Sequence, residues 1–246
     1  MSPSALYLAR RRGVVGDWWA IEAALTGYAV AEHVAAVLRM YRVNCVIDVG
    51  ANRGQYAEAL RRAGYTGRIA SFEPVPETFE ELRRAAAGDP AWTVYPYALG
   101  RDDGTTTINV VPGTLSSVLA PTRFGAKRYQ RLREPVPQDV PLRRLDGLLD
   151  ELVAGLPDPR PFLKLDTQGY DLEVFAGLGD RADAFVGMQA ELALVRIYEG
   201  MPRMAEALAA YEEAGFEVTA LYPVSRHKKT ARVLEFDCVM VRPEAV

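Results

Sequence analysis

Apolar residues in this chain come as short runs separated by segments of helical periodicity. Near-continuous runs at about 43–49, 68–73, 92–98, 161–166, 184–192 and 216–222 have the length and density of strands covered on both faces. Between them, 55–63, 76–87, 143–154, 170–177 and 202–214 repeat their apolar positions at helical spacing. Strands separated by helices predict a parallel sheet with helices on both sides. A last strand, 234–241, follows the strand 216–222 without an intervening helix, so it must run antiparallel to its neighbour, because a short link cannot make a parallel crossover.

Ahead of the sheet, residues 17–41 read as an amphipathic helix interrupted near Gly27, with Trp18, Ile21, Leu25, Val34, Val37 and Leu38 facing inward. TTTINVV (105–111) alternates like an edge strand or half of a hairpin. The Pro-, Arg- and Ser-rich stretch 112–141 predicts a long loop with a short helix around 124–132. The expected fold is α/β: a doubly wound, mostly parallel seven-stranded sheet with a terminal antiparallel strand. Residues 1–42 form a helical extension or lid, and residues 43–246 form the domain that carries the chemistry.

Composition narrows the function classes. The chain has 246 residues, 49% hydrophobic and 25% charged, enough for a substantial core. A net charge of -3 gives no nucleic-acid footprint. No stretch approaches 18 apolar residues and the first dozen residues lack a signal-peptide core, so no membrane span and a cytoplasmic location are expected. Cys45 and Cys238 fall inside strand-like runs and are expected to be buried thiols.

Candidate chemistry begins where the first strand ends. VNCVIDVG runs into ANRGQY, and 25 residues after Asp48 a second strand closes on the acid of SFEPVP, Glu73. An acid at that point in an open α/β sheet suits the two hydroxyls of a ribose. A dinucleotide fingerprint needs G-x-G-x-x-G, yet here only Gly50 falls in register, and no Lys follows Gly54 as a phosphate loop requires. A loop with one glycine and one Asn suits a nucleoside with an amino-acid tail and no phosphates. S-adenosylmethionine (SAM) meets that description, and a parallel sheet with an antiparallel last strand is the arrangement of SAM-dependent methyltransferases.

A second cluster lies at KLDTQGYDLEV, where Asp166 closes a central strand and Thr167 or Asp166 can cap the following helix. Lys164 shares a face with Phe162 and Asp166 in a strand that should be buried on both sides, so it needs a carboxylate partner, and a structural ion pair is the expected role. Glu191 closes the next strand. Asp166 and Glu191 would then project together, either as the base for an attacking hydroxyl, as a pair that could hold Mg²⁺, or as groups that orient substrate hydroxyls. Of the two histidines, His33 reads as a helix residue, whereas His227 lies in a loop on the ligand side and could reach the mouth of the site.

The segments VIDVGANRGQYAEAL, SFEPVPETFEEL, YALGRDDGTTTINV, RRLDGLL, FLKLDTQGYDLEVFAGL and MQAELALVRIYEGMP, in this order, resemble the FkbM-type methyltransferase family over about residues 43–222. The resemblance implies a class I SAM-dependent O-methyltransferase acting on hydroxyls of sugars, glycolipids or polyketides. It implies that Asp48, Gly50, Ala51 and Asn52 hold the amino-acid end of SAM, that Glu73, followed by Pro74, holds the ribose, and that Tyr97 and Ala98 flank the adenine. Asp166 would face the methionine part and the reacting centre. Many relatives have Glu where this chain has Gln168, so a charge is lost there. The base is expected to be Asp166 or Glu191, with His227 as an outsider. The loop 112–141 and the helix bearing Trp18 and Trp19 are candidate lids, and a homodimer through the N-terminal helices is compatible with the pattern.

Two rival readings share the sheet. A nicotinamide-dependent oxidoreductase is disfavoured by the missing glycines and the antiparallel last strand. A non-catalytic SAM-binding protein is disfavoured by the full set of acids at the pocket.

Overall fold

The computed structural model describes residues 18–227 and 229–246; the side chains of Trp18, Trp19 and Ala20, and Lys228, lie outside that description. The main sheet has seven strands: β1 (Cys45–Val49), β2 (Arg68–Phe72), β3 (Trp92–Tyr95), β7 (Pro161–Leu165), β8 (Gly187–Ala193), β9 (Glu217–Arg226) and β10 (Val233–Val241), in the spatial order β3-β2-β1-β7-β8-β10-β9. All neighbours from β3 to β8 are parallel, and β10 runs antiparallel to both β8 and β9. A smaller sheet holds β4 (Ala98–Leu99), β5 (Gly104–Val110) and β6 (Val136–Arg143), in the order β4-β6-β5. The helices are α1 (Trp18–Met40), α2 (Gln55–Arg62), α3 (Pro76–Ala86), α4 (Arg123–Arg128), α5 (Leu149–Val153), α6 (Asp171–Ala176) and α7 (Met204–Glu213).

Alternation along the central strands builds two cores. Cys45, Ile47 and Val49 of β1 join Leu149 and Leu152 of α5, Val174 of α6 and Tyr211 of α7 on one face. Val46 and Phe162 face the other way, onto Val34, Val37 and Leu38 of α1, Leu60 of α2 and Leu82 of α3. All five residues of β1 and all five of β7 are buried, as strands with both faces covered must be.

The second face carries a row of polar residues. Register places Ser71 beside Asp48, Asp48 beside Lys164, and Lys164 beside Gln189, across four adjacent strands. All four are buried. Two residues further along, Glu191 of β8 faces Asp237 of β10. Such groups persist inside a sheet only if they satisfy one another, and this row forms the floor of the site described below.

Four sequence expectations are corrected. The helix over 17–41 is not interrupted at Gly27: α1 is continuous, and a Cβ there would meet nothing within 4 Å. Leu25 does not face inward; it is 46% exposed. Within 112–141, the part from Val136 onward is strand rather than loop. Prolines 137 and 141 obscured it, but β4 pairs only with Leu142 and Arg143, so most of β6 has one open edge. Two prolines four residues apart direct their missing donors to that same edge. Finally, Ile21–Met40 is long and apolar enough by length and composition to cross a membrane, although Val34, Val37 and Leu38 pack it against the sheet.

Candidate active site

The turn after β1 is shaped by close backbone approach. Gly50 has φ +78°, and a Cβ on it would lie 2.0 Å from the carbonyl oxygen of Asp166, so only glycine fits. Its N–H and that of Ala51 both donate to the Phe72 carbonyl, which ties the turn to the end of β2. Asn52 follows with φ +48°. Glu73 closes this half: Oε2 accepts the Asn52 N–H at 3.0 Å and Oε1 accepts the Val75 N–H at 2.9 Å. Burial pushes its carboxyl up to about 7 even against those two hydrogen bonds. Asp48, one strand inward, accepts from the Ser71 hydroxyl at 3.1 Å and is pushed up to about 6, again chiefly by burial.

The other half is built at the end of β7. Gln168 and Gly169 both have positive φ, 54° and 92°, and the Ser117 hydroxyl donates to the Gln168 carbonyl at 2.8 Å. A non-glycine residue held in that conformation stores strain that the surroundings must enforce. What the strain secures is the side chain. Gln168 Nε2 donates to Asp166 Oδ1 at 3.0 Å and to Glu191 Oε2 at 3.2 Å, so one amide bridges both carboxylates. The Tyr198 hydroxyl, which donates to Leu115 O at 2.8 Å, also reaches Gln168 Oε1 at 3.4 Å. The helix cap differs from expectation: neither Thr167 nor Asp166 caps α6, and instead Asp171 Oδ1 accepts from both the N–H and the hydroxyl of Thr167, at 2.8 and 2.6 Å.

Lys164 sits beneath both halves. Its Nζ lies 3.2 Å from Asp166 Oδ2 and 5.6 Å from the centre of the Tyr56 ring. Burial alone would push this ammonium down, but Asp166, Asp237, Glu191 and Asp48 together outweigh it and hold the group above the ordinary lysine range. Glu191 is raised well above an ordinary carboxyl by burial first and by the charge of Asp166 second. Gln189 Nε2 donates to Asp237 Oδ1 at 3.1 Å, while Gln189 Oε1 and the Tyr56 hydroxyl have no protein partner among the described residues.

These groups line a cavity of about 520 Å³ at the C-terminal ends of the parallel strands, within the range of roughly 300–1,000 Å³ usual for small ligands. Asp48, Gly50, Ala51, Asn52, Glu73, Pro74, Tyr97, Ala98, Asp166 and Glu191 all lie on its wall. His227 does not. It sits in the β9–β10 turn with Nδ1 2.9 Å from the Thr230 hydroxyl, because that turn closes on itself rather than folding over the cavity. Thr114, Ser116, Ser117 and Val118 reach over one side, and Ala23, Thr26, Gly27 and Val30 of α1 cover another. The wall residues fit SAM. Gln189 and Tyr56, each with a buried polar atom lacking a partner among the described residues, belong to the wall, carboxylates stand ready for a cationic amine and a ribose, and Tyr97 offers an aromatic edge.

The carboxylates do not fit a Mg²⁺ centre. The Gln168 amide already bridges Asp166 and Glu191, Lys164 pairs with Asp166, and among the described residues no group of three or more His, Cys, Asp or Glu is arranged to hold a metal ion. Sequence reasoning missed the bridging role of Gln168 and the floor formed by Gln189 and Asp237. Asp237 was within reach, since an antiparallel β10 beside β8 brings FDCVMV against MQAELA.

Comparison with known proteins agrees with this geometry. Residues 48–218 match the methyltransferase FkbM domain. The chain is 25% identical over 198 residues to the methyltransferase sdnD of Sordaria araneosa, covering 71% of this chain and 74% of that relative. In fold, it is similar to the magnesium protoporphyrin IX methyltransferase of Synechocystis PCC 6803 with bound SAM, at a TM-score of 0.50 and 14% identity, over 96% of this chain and 90% of that one.

Proposed function

This chain belongs to the FkbM methyltransferase family and is a SAM-dependent methyltransferase, and we propose that it methylates a hydroxyl of a small-molecule acceptor of the sugar, glycolipid or polyketide kind. The observation that carries this reading is Glu191, a carboxylate with a raised proton affinity, held on the cavity wall by an amide that also fixes Asp166. An alcohol must lose its proton as it attacks, and a carboxylate whose proton affinity is raised above the ordinary range suits that task. When bound, SAM supplies the electrophilic methyl.

The residues of the chain do the rest. Asp48 and Asn52 bind the amino-acid end, Glu73 accepts the ribose hydroxyls, and Tyr97 and Ala98 flank the adenine. Gln168 orients Asp166 and Glu191 toward the acceptor. The acceptor proton passes from its oxygen to the Glu191 carboxylate. Holding acceptor and methyl in line contributes about 7–11 kcal/mol through effective concentration. The Thr114–Val118 segment and α1 exclude water from the cavity, the role of a lid.

The test pairs binding with turnover. Glu191→Gln should keep its affinity for S-adenosylhomocysteine by calorimetry and lose about 10²–10⁴-fold in kcat. Undiminished turnover in that variant would remove Glu191 as the base. The proposed homodimer would use the outer face of α1, where Leu25 and Tyr28 are exposed.

A further inference from the structure

A second, smaller cavity of about 270 Å³ opens beside the first, and Ala23, Pro223 and Val224 line both. The strand order explains why it belongs to the acceptor side. Asp48, Glu73 and Tyr97 come from β1, the end of β2 and the link after β3, on one side of β7. Glu191, Asp237 and Val224 come from β8, β10 and β9, on the other side. The small cavity continues in that second direction, past an apolar neck.

Its polar wall is unequal in charge: Arg128 and Arg226 stand against the single carboxylate of Glu22. Arg226 is satisfied, since its Nε pairs with Glu22 Oε2 at 2.7 Å and its Nη1 donates to the Ala231 carbonyl at 3.2 Å. Arg128 is not. Its Nη2 donates to the Arg226 carbonyl at 3.2 Å, its guanidinium lies 5.1 Å from the centre of the Tyr129 ring, and its buried Nε has no hydrogen-bond partner among the described residues. Stacking and the one hydrogen bond hold the fork in place, so little is lost in ordering it when a planar anion arrives.

We propose that this cavity is the far end of the acceptor site and binds an anionic group of the acceptor, a carboxylate or a phosphate, through Arg128. The proposal rests on reading the main cavity as the methyl-transfer site. The acceptor is thus an acidic hydroxyl compound: its carbon frame passes Ala23, Pro223 and Val224, with its hydroxyl at Glu191 and its anion at Arg128. Glu22, paired with Arg226, sets a carboxylate in the same cavity and weakens the hold on the anion.

The experiment follows the side-chain Nε–H signal of Arg128 by nuclear magnetic resonance, assigned through loss of that signal in Arg128→Lys. Protein preloaded with S-adenosylhomocysteine is titrated with glucuronate, glucose 6-phosphate and glucose. The expected result is a saturable shift with glucuronate or glucose 6-phosphate and none with glucose; which acid responds identifies the anion as carboxylate or phosphate. Arg128→Gln should weaken that binding at least ~10-fold without changing affinity for S-adenosylhomocysteine, and Glu22→Gln should strengthen it about threefold. The opposite sign of the second variant separates a lost anion site from a damaged fold. No saturable response to either acid, or an equal response to glucose, overturns the proposal while normal binding of S-adenosylhomocysteine leaves the methyl-transfer reading intact. Failure of the wild type to bind S-adenosylhomocysteine overturns that underlying reading instead.

Discussion

At the scale of single residues, Gln168 holds the two acids of the site in one arrangement. A neutral amide can donate to both Asp166 and Glu191; a carboxylate there could only repel them. An acid at that position would place three like charges together and push the Glu191 carboxyl higher still. Gln168→Glu should move the acid limb of the kcat–pH profile to higher pH, because the base must ionise before it can accept the proton. An unmoved limb would mean that Glu191 is not the group being titrated. Lys164 is the counterweight. As the buried cation of the site it keeps the acids from being raised further, which accounts for a lysine inside a strand that otherwise holds Pro161, Phe162, Leu163 and Leu165.

At the scale of elements, the two strand ends that carry the site are locked through one atom-to-atom approach. The turn after β1 lies against the Asp166 carbonyl at the end of β7, and Asp166 N–H donates to the Val49 carbonyl at 3.0 Å. Gly50→Ala would combine a strained φ with a clash against backbone, for a loss of about 1–3 kcal/mol or more, seen as a lower unfolding midpoint and weaker binding of S-adenosylhomocysteine. A wild-type midpoint in that variant would show that the two turns are not in contact. The sheet strands were legible in the sequence because burial on both faces leaves unbroken apolar runs, and Asp48 and Glu73 were legible because acids interrupt those runs at their ends. β6 was not, since its prolines are tolerated only by an open edge that the sequence does not display. The Gln168 bridge was not, since it depends on a left-handed backbone at a non-glycine residue. Arg128 is one arginine among several in its stretch of sequence; its significance comes from the carbonyl and ring that hold it.

At the scale of the whole molecule, the cavity concentrates acids that would rather be neutral. Asp48 is pushed up to about 6 and Glu73 to about 7, in each case first by burial. A carboxyl whose folded value exceeds its unfolded value binds more protons when folded, so stability is lost as pH rises through the interval between the two. Glu73 should cost about 1 kcal/mol between pH 6 and pH 8, and the ligand-free protein should melt lower at pH 8, at roughly 2–4 °C per kcal/mol. Glu73→Gln should shrink that difference while weakening S-adenosylhomocysteine; a midpoint independent of pH in the wild type would contradict the burial argument. Because ribose hydroxyls favour the ionised Glu73, binding near pH 7 should release protons, measurable as a calorimetric heat that depends on the buffer.

The position of β10 bears on how the molecule is made. It lies between β8 and β9 although it follows both in the chain. While the chain is still leaving the ribosome, the cofactor strands β1 to β3 can already pair, but β8 has no partner on its outer side until residues 233–241 emerge. During that interval a strand rich in buried apolar positions presents an open edge, the kind of surface on which nascent chains associate with one another. The wall built from β8, β10 and β9 is thus also the last to be sealed and the most dependent on prompt synthesis of the final hairpin.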